Sequence, residues 1–249
     1  MGESPDIRFY TCPWKFWLTH LWWLAPAAGA VWGLQVSGWD ERLAWIFYAW
    51  QGHAWRWQDS WLLETLIHRQ AKYFLIGVYL LLLALAVASL KKPSLLRYRR
   101  GLWYLIVAIP LGTLTVSWLK GVTHMDCPWD LVQFGGTKPY VGLFETHPGT
   151  FSYGRCFPAA HASAAFSWFA LYFFARVYYP QWRWHALAAV ALLGLVFGLA
   201  QQLRGAHFLS HDLASAMVTW LVSLALFALF FCRRRITSVN RKKLSDKSR

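Results

Sequence analysis

Long apolar runs separated by short polar ones organise this sequence. Six stretches, 16–37, 73–90, 101–119, 157–175, 184–203 and 213–232, reach or approach the roughly 20 residues a helix needs to cross a hydrocarbon core. In lipid, every backbone N–H and C=O must find a partner within its own segment, so each run predicts a helix. Pro110 inside the third run predicts a kink, and Pro158 stands at the mouth of the fourth. The expected fold is all-α: one polytopic membrane domain over residues 1–249, a bundle of six transmembrane helices. A basic tail at 233–249 is too polar to join the core.

The polar segments set the orientation. Lysine and arginine cluster at 91–92, 97–100, 233–235 and 241–243, each beside an apolar run, and two more arginines fall in 176–183. In an alternating six-helix chain these connections lie on one side with both termini, and the excess of basic residues marks that side as cytoplasmic. Segments 38–72, 120–155 and 204–211 then face outward. The first of these alternates Trp55, Trp57, Trp61, Leu62, Leu63, Leu66 and Ile67 with Arg56, Asp59, Glu64, His68 and Arg69. That pattern predicts an amphipathic helix over 59–72 lying in the headgroup plane. Glu64 and His68 sit four apart on it, a spacing that reads first as a surface pair.

Composition agrees with this picture. Only 14% of residues are charged and 57% are hydrophobic, against about 25% charged in an average soluble domain. The 18 Trp and 17 Phe suit membrane interfaces. A formal charge of +14 would also suit a nucleic-acid binder, but the basic residues flank apolar runs rather than forming a stripe, so nucleic acid is not an expected partner. Four cysteines without a CxxC pair suggest neither a disulfide scaffold nor zinc. Residues 1–15 lack the pattern of a cleavable signal, so the first apolar run is expected to remain as an anchor.

Ionisable residues at the outer ends of the spans are the candidate chemistry. Lys120 ends the third run, Arg155 and His161 open the fourth, and Arg204, His207, His211 and Asp212 lie between the fifth and sixth. Charges at that depth cost several kcal/mol, on the order of 3, unless paired or solvated. A single interfacial histidine or arginine is more often an anchor than a catalyst. Three separate segments delivering histidines and cations to one face argue for a site. Lys120, Arg155 and Arg204 would bind phosphate oxygens, a task for which arginine's planar fork is suited. His207 would attack phosphorus, with His211 or Asp212 holding its tautomer. His161 would protonate the leaving oxygen and later activate water. This chemistry calls for no metal and no cofactor.

These residues resemble the type 2 phosphatidic acid phosphatase superfamily, which has six transmembrane helices and the motifs KxxxxxxRP, PSGH and SRxxxxxHxxxD. Here the first reads from Lys120 to Pro128, with Cys127 where the arginine belongs. The second reads Pro158-Ala159-Ala160-His161, with Ala-Ala for Ser-Gly. In the third, His207 takes the nucleophile's place, His211 the aspartate's, and Asp212 falls one residue late. The family's arginine, six before the histidine, falls on Gln201, with Arg204 one turn closer. A shifted register would instead make His211 the nucleophile. Arg155 and Arg204 are read as replacing the two missing arginines.

The resemblance implies an integral membrane phosphatase acting on a lipid phosphate or diphosphate through a phosphohistidine. Its substrate is expected to reach it among membrane lipids, at the periplasmic face of a bacterial inner membrane. Phosphoryl transfer to a second lipid would use the same residues, and an impaired scaffold or a haem or metal protein are the competing classes. Cys127 and Cys156 fall in the outer segment beside motif residues, where a disulfide would fasten the first motif to the second. Two unpaired thiols are the alternative. Cys12 and Cys232 fall toward the cytoplasm and are expected to be reduced.

Overall fold

A computed structural model describes residues 12–143, 145 and 149–232. Proline shapes its first helices. Helices α1 (Trp14–Leu21) and α2 (Leu24–Val36) replace the single first span expected from hydropathy. Pro26 has no N–H, and its ring crowds the carbonyl four residues back, that of Trp22. The helix breaks there. Helix α3 (Trp39–Trp50) follows after Gly38, whose φ of 71° lies in the left-handed region glycine tolerates.

A π-helical segment, Trp61–Gln70, is capped by Ser60, whose hydroxyl accepts from the Leu63 N–H at 3.2 Å. It runs directly into α4 (Ala71–Ala88). The helix expected over 59–72 is therefore the first part of a 28-residue helix rather than an element of its own. Next comes α5 (Arg99–Val122), which continues through Pro110. That proline leaves the Ile106 carbonyl without its helical donor, and the Tyr79 hydroxyl of α4 donates to it at 3.0 Å. One side chain thus makes a proline tolerable at this depth.

The fourth apolar run forms α6 (Ala160–Phe166), a 3-10 turn (Ser167–Phe169) and α7 (Ala170–Tyr178), with α5, α8 and α9 packed around them. Small residues make that packing possible: a Cβ at Gly194 of α8 (Arg183–Leu203) would strike the Phe166 ring at 2.0 Å. Helix α9 (Leu209–Phe231) closes the bundle.

The protein is thus all-helical, and among the described residues there is no β-strand. Among the described residues, four helices are long and apolar enough to cross a membrane: Trp61–Ala88, Pro93–Val122, Pro180–Leu203 and Leu209–Phe231. The first and fourth of the six expected spans are interrupted, at Trp22–Trp23 and at the 3-10 turn. Leu81, Leu114, Trp118, Leu192 and Leu229 lie exposed on the long helices, an apolar surface that only lipid or another protein would cover. These features make the chain an integral membrane protein. The basic tail at 233–249 lies outside the described residues.

The larger core is aromatic and fills the half of the bundle where α1, α7 and the end of α9 meet. Its one buried histidine is satisfied. His20 Nδ1 bonds the Phe16 carbonyl at 2.7 Å and Nε2 the Tyr172 hydroxyl at 3.2 Å, while Trp220 Nε1 donates to the His20 carbonyl at 2.8 Å. Cys12 and Cys232 are joined at this end, their Cα atoms 5.6 Å apart. This overturns the expectation that both are reduced: membrane side can be read from sequence, whereas proximity across 220 residues cannot.

Candidate active site

Three segments meet at the other end of the bundle. Lys120 lies in the last turn of α5, Arg155 in the loop before α6, and His161 in the first turn of α6. His207 lies in the turn between α8 and α9, and His211 in the first turn of α9. His207 and His211 are buried, their ring centroids 5.7 Å apart. His161 and Lys120 are half-buried and Arg155 is exposed. The Arg155 guanidinium reaches Gly121, next to Lys120. Lys120, His161 and His211 all lie close enough to act electrostatically on His207. Imidazoles therefore form the floor, a lysine and a third imidazole the wall, and an arginine the mouth. An anion entering here meets fixed positive charge, then buried imidazoles.

Burial pushes His207 well below its ordinary pKa of 6.5, and the neighbouring His211, Lys120 and His161 push it the same way. The ring is therefore neutral at pH 7, with one nitrogen carrying a lone pair. The carbonyl of Cys156 lies within reach of both His207 and His211 and opposes part of that shift. Nδ1 of His207 and both ring nitrogens of His211 have no hydrogen bond of normal geometry among the described residues.

Local structure explains why the turn holds this shape. Gly205 has φ 74°, and a Cβ there would strike the Trp55 indole at 2.4 Å. Its carbonyl accepts from the Trp129 N–H at 3.0 Å, and the Ala159 N–H donates to the His211 carbonyl at 3.1 Å. Thr123 donates its hydroxyl to the Phe157 carbonyl. The first and second motif segments are joined by a Cys127–Cys156 disulfide, with Cα atoms 5.3 Å apart.

Two of the expected site residues are engaged elsewhere. Arg204 is buried and pairs with Glu64 at 2.5 Å; its Nε donates to the Gln58 carbonyl at 2.6 Å and its Nη1 to Gln201 Oε1 at 3.3 Å. Asp212 accepts from Gln202 Nε2 at 2.7 Å, and its carboxylate lies against Gly198, where a Cβ would stand 2.5 Å from Oδ2. The backbone carbonyl within reach of His207 is that of Cys156.

Sequence reading had missed Asp40 and underrated Glu64. Asp40, in the first turn of α3, is buried and accepts from the Ser210 N–H at 3.1 Å, capping α9 just before His211. Burial pushes its carboxyl up, against the hydrogen bonds from Ser210. Neither acid lies within a motif, although Asp40 beside Gly38 carries the acidic first-turn signature of a helix start. Among the described residues, no group of three or more His, Cys, Asp or Glu is arranged to hold a metal ion.

Helices of membrane length and the match to a phosphatase family define a class, the membrane phosphatases. The chain belongs to the PAP2 superfamily: its family model matches residues 101–235, from α5 onward, which is just over half of the chain. Members of that superfamily are phosphatases. No curated protein and no solved structure matches the chain.

Proposed function

We propose that this protein hydrolyses a lipid phosphate or diphosphate through a covalent phosphohistidine, without a metal. His207 supplies the nucleophile: a ring nitrogen attacks phosphorus, and the bond from phosphorus to the leaving oxygen breaks. That oxygen takes a proton from His161. Water then attacks phosphorus, giving its proton to His161; the phosphorus–nitrogen bond breaks, phosphate leaves and the His207 imidazole is restored. Lys120 and Arg155 bear on the oxygens that gain charge in both steps. Arg204 acts here through its pair with Glu64, fixing the turn that carries His207. His211 supports the His207 ring from one helical turn away, and a label on His211 would mark the shifted register.

The observation that favours a lipid over a soluble phosphate ester is an apolar cleft. It has a volume of about 350 Å³ and opens between α4, α5 and α6, with His161 and Lys72 beside Leu75, Ile76, Tyr79, Ile109 and Pro110. A hydrocarbon chain laid along it would leave its phosphate at His161. The Tyr79 bond to the Ile106 carbonyl lies in its wall. The basic connection at 91–100 favours an arrangement of six spans, α1–α2 and α6–α7 each serving as one. Both termini would be cytoplasmic, the site on the periplasmic face, and the π-helical start of α4 at the headgroups.

Phosphate release from a panel of lipid phosphates, lipid diphosphates and water-soluble esters, with and without EDTA, tests this reading. Lipid substrates should be hydrolysed in EDTA and soluble esters far more slowly. Strict dependence on added divalent metal, or equal rates on soluble esters, would contradict it.

A further inference from the structure

One covalent bond fixes the carbonyl that faces the imidazoles. Cys127 follows α5 and Cys156 precedes α6, and both are buried. The surrounding loop is bonded on each side of them: the Cys156 N–H donates to the Met125 carbonyl at 2.9 Å and the Cys127 N–H to Asp130 Oδ2 at 3.3 Å. Lys138 bridges the Asp126 carboxylate at 2.7 Å and the Ser152 carbonyl at 2.8 Å. The Trp129 N–H reaches the Gly205 carbonyl, two residues before His207. The Trp129 contact ties the loop to the turn and the others brace the loop itself, while the disulfide adds a covalent link between the two motif segments.

We propose that the Cys127–Cys156 disulfide is a positioning element for phosphoryl transfer, holding the Cys156 carbonyl against the His207 imidazole. This rests on the reading of His207 as nucleophile. A neutral imidazole has one N–H and one lone pair, and the lone pair faces phosphorus only if the N–H has an acceptor on the other side. Asp212 is engaged by Gln202. The Cys156 carbonyl belongs to a loop, so no helical hydrogen bond fixes it. Closing the 29-residue separation between the cysteines restricts that loop, and the arrangement also accounts for a cysteine where the resemblance led one to expect arginine.

The purified full-length protein in detergent is alkylated without reductant and mapped by mass. A Cys12→Ser/Cys232→Ser variant, with only this pair left, is then assayed before reduction by a dithiol, after it, and after reoxidation. The dithiol gives up two electrons and two protons to make two thiols. Cys127 and Cys156 should resist alkylation. Reduction should lower kcat by roughly 10–100-fold, the scale for losing an outer partner of a working histidine. KM should change little, because the apolar cleft is untouched. The acid limb of the pH–rate profile should move to lower pH: without the carbonyl, His207 keeps burial first and then His211, Lys120 and His161, all of which lower its pKa. Reoxidation should restore both, and Cys127→Ser/Cys156→Ser should reproduce the reduced state. Free thiols in the untreated protein, an unchanged kcat, or a lower kcat with an unmoved acid limb would overturn the proposal. An unreduced protein that releases no phosphate defeats the functional reading and this proposal with it. An active protein indifferent to reduction defeats this proposal alone.

Discussion

The two ends of the bundle each bury histidine, and they treat it differently. At the aromatic end, His20 has a partner for both ring nitrogens and sits among Phe16, Phe173 and Trp220. At the other end, His211 is equally buried and neither of its nitrogens has a normal hydrogen bond among the described residues; nor does Nδ1 of His207. A buried polar group left unpaired costs about 1–3 kcal/mol. Folding alone does not favour such an arrangement, in which the Cys156 carbonyl is the backbone acceptor shared by both rings, and the proposed function gives the remaining nitrogens a use. On the proposed function, the contrast separates a histidine that holds the fold from histidines the fold holds for chemistry.

Substitutions at the two ends should therefore fail in different ways. The largest effect is expected at the proposed nucleophile: His207→Ala should lower turnover by on the order of 10⁴-fold or more, with melting temperature nearly unchanged. Comparable turnover in the variant would remove the contrast. Next, Lys120→Ala and Arg155→Ala should each lower kcat by about 10²–10³-fold, the range for one transition-state donor. Arg204→Ala should instead act first on melting temperature, since it leaves Glu64 without its closest cation. If Arg204→Ala costs only activity, Arg204 binds phosphate directly.

Smaller still, His20→Ala should destabilise the protein by roughly 1–3 kcal/mol while activity per folded molecule stays within twofold. Acid should reveal the same asymmetry. His207 has a folded pKa below its unfolded value of 6.5, so the unfolded chain binds the extra proton first. Its contribution to stability is complete above pH 6.5 and is lost as pH falls from there toward the lowered pKa. Unfolding of wild type and His207→Ala in denaturant between pH 7 and 4 should show the weaker pH dependence in the variant. Equal slopes would place His207 in a solvated setting.

Hydropathy made the membrane character and most helix positions legible, because long apolar runs admit one backbone solution in lipid. It did not reveal where helices pause. Pro26 breaks the first run through a clash four residues back, whereas Pro110 breaks nothing, because Tyr79 arrives from another helix to satisfy Ile106. Nothing local distinguishes the two prolines. The candidate site was legible as a set, since Lys120, Arg155, His161, His207 and His211 do converge. What escaped was the pairing within it. Arg204 sat at a spacing that suggested phosphate, but its carboxylate partner lies 140 residues earlier in a segment that looked like an interfacial surface. Asp212, adjacent to His211, points its hydrogen bond at α8 because neighbouring residues on a helix face different directions.

If His207 takes the phosphoryl group, it should be caught carrying one. Wild-type protein should be mixed with lipid substrate labelled in its phosphate, quenched in alkali within milliseconds to seconds, and digested for peptide mapping. An acid-labile, base-stable label on His207, absent in His207→Ala and longer-lived in His161→Ala, is the expected result. Label that persists in His207→Ala, or turnover with no protein-bound phosphate at any time, would contradict it.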